Sequence, residues 1–104
     1  MKVAVVGAGS WGTTVASLIA DKGPTVLWAR RPELALAIEE RSENPDDLAG
    51  FRLPEPLSAT NNLEAALDDA AVVVMAVPSH GTRAVLEAAR DSIDPTTPIV
   101  SLTK

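Results

Sequence analysis

Val3-Ala4-Val5-Val6-Gly7-Ala8-Gly9-Ser10-Trp11-Gly12 opens the chain after two residues: four apolar positions run directly into a turn with glycine at its first, third and sixth places. The apolar run does not alternate with polar residues, so it predicts a strand covered on both faces. Each glycine has its own physical reason. Gly7 permits a tight turn, Gly9 lets the backbone approach a pyrophosphate with no Cβ in the way, and Gly12 lets the following helix pack closely on the strand. The first-turn N–H groups of that helix have no intrahelical acceptor, and with the positive end of the helix dipole they form an anion site. Placed between a strand and a helix at the start of the chain, the pattern predicts a dinucleotide-binding turn.

The rest of the sequence repeats the alternation. Residues 25–28, 72–77 and 99–102 are further apolar runs rich in β-branched residues, and 57–59 is a weaker strand candidate. Val15, Leu18 and Ile19 fall at helical spacing between the first two runs, with Gly23 as the stop. Pro32 fits a first helical position, and Leu34 and Ile38 give the next helix its apolar stripe, ending near Ser42. Asn61 followed by Glu64 resembles a capping box for a third helix with Leu63, Ala66, Leu67 and Ala70 on its inner face. Ser79, after Pro78, is placed to cap a fourth, carrying Leu86, Ala89 and Ile93 before Asp94-Pro95 breaks it. The expected fold is therefore α/β: a Rossmann-type, doubly wound parallel sheet, incomplete at about five strands in the order 3-2-1-4-5. Residues 44–56, with three prolines and the only phenylalanine, form a loop of unusual length; it reads either as functional or as a plain connection pinned by Phe51 and Leu53.

Composition narrows the partners. At 104 residues, 46% hydrophobic and 22% charged, the chain suits one globular domain. Its net charge of −5 repels phosphate backbones and anionic lipid, so neither nucleic acid nor a membrane surface is an expected partner. With no cysteine and one histidine, neither a disulfide framework nor a thiolate or imidazole metal site is expected. The longest apolar run, residues 70–77, is far short of the ~20 needed to cross a bilayer, and the start is too short for a secretory signal. These readings point to the cytoplasm.

The end of the second strand decides between dinucleotides. An acidic residue about 20 positions past the glycines suits the ribose of NAD, but here Trp28-Ala29-Arg30-Arg31-Pro32 places Arg30 23 positions past Gly7, with Arg31 beside it. Two guanidinium groups suit a 2′-phosphate, so NADP is expected over NAD. Trp11, a large aromatic in a glycine-rich turn, is either a wedge against a neighbouring domain or a wall of the cofactor cleft.

Gly7-Ala8-Gly9-Ser10-Trp11-Gly12-Thr13, Trp28-Ala29-Arg30-Arg31, Leu53-Pro54, Val77-Pro78-Ser79-His80 and Ser101-Leu102-Thr103-Lys104 together resemble, in order and along the whole chain, the bacterial NAD(P)-dependent glycerol-3-phosphate dehydrogenases. The resemblance implies hydride transfer between NAD(P)H and dihydroxyacetone phosphate to give sn-glycerol 3-phosphate for phospholipid synthesis. It implies that Ser10, Trp11, Arg30 and Arg31 contact the cofactor with the glycines, and that Pro78 belongs to a second cofactor loop. It also implies that Lys104 touches both the cofactor and the substrate phosphate. Independently of the family, Lys104 follows the last strand at the carboxyl edge of the sheet, where ligands bind in such folds. No catalytic residue is expected within the chain: His80, beside a helix start, is not expected to donate the proton, and the family's acid–base lysine lies beyond this sequence. The family's chains are about three times longer, so 1–104 reads as the N-terminal part of a dinucleotide-binding domain without the helical substrate domain, inactive alone. The parent is expected to be a homodimer acting on a small phosphorylated substrate. Two other readings remain: a dinucleotide-binding module without chemistry, and a different Rossmann reductase such as a hydroxy-acid or 6-phosphogluconate-type dehydrogenase.

Overall fold

Four consecutive apolar residues with no polar alternation build the central strand, β1 (Val3–Val6), and all four are buried. In the computed structural model, which describes residues 2–44, 52–77 and 79–102, β1 is flanked by β2 (Thr25–Trp28) and β4 (Val72–Met75). β3 (Leu57–Thr60) lies outside β2 and β5 (Ile99–Ser101) outside β4, giving a parallel sheet in the order β3-β2-β1-β4-β5. This is the expected order. The helices are α1 (Ser10–Ala20), α2 (Pro32–Arg41), α3 (Leu63–Leu67) and α4 (Ser79–Ala89), the last tightening into a 3-10 turn over Arg90–Ser92. Phe51, Pro78 and Lys104, and the side chains of Ser10, His80 and Leu86, lie outside the described residues.

The period-2 geometry of the strands divides the core in two. Val3 and Val5 face one side with Leu27 and Val74, packing against Ala16 of α1 and Leu34, Ala35 and Ile38 of α2, with Leu53 from the long connection. Ala4 and Val6 face the other side with Trp28, Val73 and Met75, against Ala66 and Leu67 of α3 and Ala89 of α4. Helices on both faces explain why β1 and β4 are apolar throughout.

Four local expectations are corrected. On α1 the buried face is formed by Thr13, Ala16, Ser17 and Ala20, whereas Leu18 is 65% exposed. Small residues let the helix sit close to the sheet, and the larger side chains point away or lie at the margin. α1 ends at Ala20 with Asp21 as its C-cap, and Gly23 only closes the turn that follows, donating to the Ala20 carbonyl at 3.3 Å. The cap of α3 is Asn62, whose Oδ1 accepts from the Ala65 N–H at 3.0 Å; Asn61 instead offers its carbonyl to the Trp28 indole N–H at 3.0 Å. Ser79 is the first residue of α4 itself. The start of α2 agrees with expectation, with proline in its first turn.

β5 is the exception to full coverage. Ile99 and Val100 are 47% and 46% exposed, so the outer strand presents an apolar edge.

Candidate dinucleotide site

Register brings the sequence-predicted residues to one edge. Val6 pairs with Trp28 on one side and Met75 on the other, Trp28 pairs with Thr60, and Met75 pairs with Ser101. All five strands therefore end on one line, and the segments that follow them emerge side by side: the glycine turn after β1, Ala29-Arg30-Arg31 after β2, Ala76-Val77 after β4 and Leu102 after β5. Neighbouring strands lie about 4.8 Å apart, so the arginine pair leaves the sheet one strand from the glycine turn. The strand order reverses between β1 and β4, which is where ligands of such sheets bind.

The glycine turn is tied down on both sides. The Gly7 N–H donates to the Trp28 carbonyl at 3.1 Å, and Ala76 N–H to the Val6 carbonyl at 2.8 Å. Gly7 has φ +119°, and a Cβ there would lie 2.7 Å from the Ala76 carbonyl oxygen. A Cβ on Gly12 would collide with the Gly7 carbonyl oxygen, which is the close helix-to-turn approach expected from sequence. At Gly9 the situation is the opposite: a Cβ would meet nothing within 4 Å. The space above Gly9 is open, as a pyrophosphate requires. Gly9 is also the N-cap of α1, in extended conformation and without a side-chain cap, so the first-turn donors are left to an anion. Trp11 stands in that first turn and is 53% exposed, on the rim of this space rather than in the core.

The arginine end rests on Trp28. Its indole is buried, bonded to the Asn61 carbonyl, and the next residue, Ala29, donates its N–H to Thr60 at 2.9 Å. Arg30 and Arg31 follow this anchored point, and both are exposed. Arg31 Nη1 lies 3.6 Å from Glu33 Oε1, with both side chains more than half exposed. Such a pair is worth about 0–1 kcal/mol and yields readily to a phosphate.

A cleft of about 410 Å³ lies elsewhere, at the amino ends of β4 and β5. Its lining includes Asp69 and Asp94 and no lysine or arginine. Two hydrogen bonds from Thr96, hydroxyl and backbone, hold the Asp94 carboxyl below its ordinary range. An acidic cleft of this kind repels phosphate.

One residue of the site was missed in the sequence. Asn44, at the start of the long connection, is fully buried and donates Nδ2 to the Ala8 carbonyl at 2.9 Å and to Thr13 Oγ1 at 2.8 Å. An asparagine beside prolines reads as a loop residue, and nothing local signals a partner 36 positions away.

The sequence pattern of the NAD-dependent glycerol-3-phosphate dehydrogenase N-terminus matches residues 2–104. The chain belongs to this family. A glycerol-3-phosphate dehydrogenase of Sphingopyxis alaskensis, named as using NAD(P)+, is 48% identical over 104 residues, covering 100% of this chain and 31% of that protein. The crystal structure of glycerol-3-phosphate dehydrogenase from Coxiella burnetii matches with a TM-score of 0.93 at 32% identity, over 99% of this chain and 32% of that one. The Saccharomyces cerevisiae enzyme gives a TM-score of 0.94 at 25% identity, over 100% and 33%. The chain therefore spans about a third of the length of the curated relatives it matches. Among the described residues no helix is long and apolar enough to cross a membrane.

Proposed function

We propose that this chain is the dinucleotide-holding part of a glycerol-3-phosphate dehydrogenase that prefers NADP(H). The observation that carries the reading is the arginine pair on the anchored end of β2, one strand from an open, anion-ready glycine turn, in a chain whose relatives are named as using NAD(P)+. Gly7, Gly9 and Gly12 shape the turn, and the Ser10 hydroxyl and the first-turn N–H groups of α1 hold the pyrophosphate. Trp11 walls the cleft. Arg30 and Arg31 clamp the 2′-phosphate, because a bidentate guanidinium matches phosphate geometry and an acidic residue there would repel it. Pro78 lines the second cofactor loop after β4, and Lys104, beyond β5, attracts both the cofactor and the substrate phosphate. The dinucleotide supplies the hydride for dihydroxyacetone phosphate. The acid–base group belongs to a C-terminal helical substrate domain, and the parent works as a cytoplasmic homodimer.

Titrating NADPH and NADH calorimetrically into the chain tests the preference. NADPH is expected to bind about tenfold or more tightly, since hydrogen bonds between charged groups contribute about 1.5–3 kcal/mol, and Arg30→Asp is expected to reverse the order. Tighter NADH binding by the unmutated chain would overturn the preference.

A further inference from the structure

The peptide that leads into Gly9, where a Cβ would find open space, is Ala8–Gly9, and its carbonyl is hydrogen-bonded. Asn44 uses its amide nitrogen twice, toward the Ala8 oxygen at 2.9 Å and toward Thr13 Oγ1 at 2.8 Å. Thr13, also fully buried, donates a hydrogen bond from its own hydroxyl to the same Ala8 oxygen at 3.3 Å. The three groups form a closed triangle in which each donor has an acceptor. A trans peptide is planar, with its N–H opposite its C=O. Fixing the Ala8 carbonyl inward therefore turns the Gly9 N–H outward, to the exposed side of the turn.

We propose that Asn44 is a positioning residue for dinucleotide binding, which orients the Ala8–Gly9 peptide toward the pyrophosphate through the Ala8 carbonyl and Thr13. This rests on the dinucleotide reading above and adds to it a residue outside the glycine motif. A buried amide is costly unless bonded, and packing alone would be served by an apolar residue. Here one donor hydrogen of Asn44 is directed at the turn, through Ala8, and the other at the first turns of α1, through Thr13. The Leu53 N–H, bonded to the Ser42 carbonyl at 2.6 Å, closes the base of the connection beside Asn44 and keeps it at this place.

Two ligands separate positioning from general support: NADPH, which carries the pyrophosphate, and adenosine 2′-phosphate, which carries only the arginine end. Asn44→Ala is expected to weaken NADPH by about tenfold or more, while adenosine 2′-phosphate changes by less than about twofold, both read by NMR titration of the 104-residue chain. Thr13→Val, which keeps the volume and removes the hydroxyl, is expected to give the same selective loss. It carries the test alone if Asn44→Ala does not melt cooperatively. Unchanged NADPH affinity in a cooperatively folded variant, or an equal loss of both ligands, would overturn the proposal. Failure of the unmutated chain to bind NADPH would overturn the dinucleotide reading, and the positioning role with it.

Discussion

At the scale of single residues, the three glycines of one motif separate into two kinds. Gly12 and Gly7 are held by backbone packed against them, whereas Gly9 has open space where its side chain would be. Gly12→Ala is thus expected to destabilise the fold by about 1–3 kcal/mol, since its Cβ is pressed against backbone that must shift. Gly9→Val is expected to change stability by no more than about 1 kcal/mol, because its extended backbone accepts a β-branched residue, while NADPH binding is lost. Paired thermal melts and titrations check both. A Gly9→Val chain that binds NADPH normally would make the turn merely structural. The close approaches at Gly7 and Gly12 were legible in the sequence because the motif fixes which glycine meets turn and helix. Asn44 was not legible, because its partners, Ala8 and Thr13, are distant in sequence and become neighbours only in the folded chain.

At the scale of elements, sequence pattern marks strands more surely than helix faces and caps. A parallel strand buried on both sides announces itself by an unbroken apolar run, as in Val3–Val6. On α1 the large apolar residues misdirected the reading, because tight packing on the sheet selects Thr13, Ala16 and Ala20 and leaves Leu18 outside. Leu18→Ala is accordingly expected to stay within about 0.5 kcal/mol of the parent, while Leu27→Ala, in the fully buried centre of β2, costs about 2–5 kcal/mol. The cap of α3 is Asn62 rather than the expected Asn61, since the two are chemically alike and only the turn geometry tells them apart. Asn62→Ala should cost about 1 kcal/mol in denaturant unfolding and Asn61→Ala much less, as Asn61 serves through its backbone carbonyl. Equal costs would contradict the assignment.

At the scale of the whole molecule, the two edges of the sheet offer a ligand different groups. The carboxyl edge carries the glycine turn, the uncapped start of α1 and the arginine pair, while the amino edge carries the cleft with Asp69 and Asp94. In a chain with net charge −5, the cleft with Asp69 and Asp94 is the less suited of the two places to a phosphorylated ligand. The strand order was legible because each apolar run is followed by a helical stretch and the glycine turn marks the central strand. The exposure of β5 follows from its place at the edge, and Ile99 and Val100 give it an apolar surface. Self-association through that edge is expected at high concentration, and Val100→Lys is expected to suppress it in sedimentation. A monomer at all concentrations would contradict this. The central claim, that the carboxyl edge holds the dinucleotide, is tested most directly by titrating NADPH into the ¹⁵N-labelled chain and mapping the amide shifts. The account predicts that the largest shifts fall on Gly7, Gly9, Ser10, Trp11, Arg30 and Arg31. Shifts centred on Asp94, Thr96 and Thr97 at the opposite edge, or none at all, would contradict it.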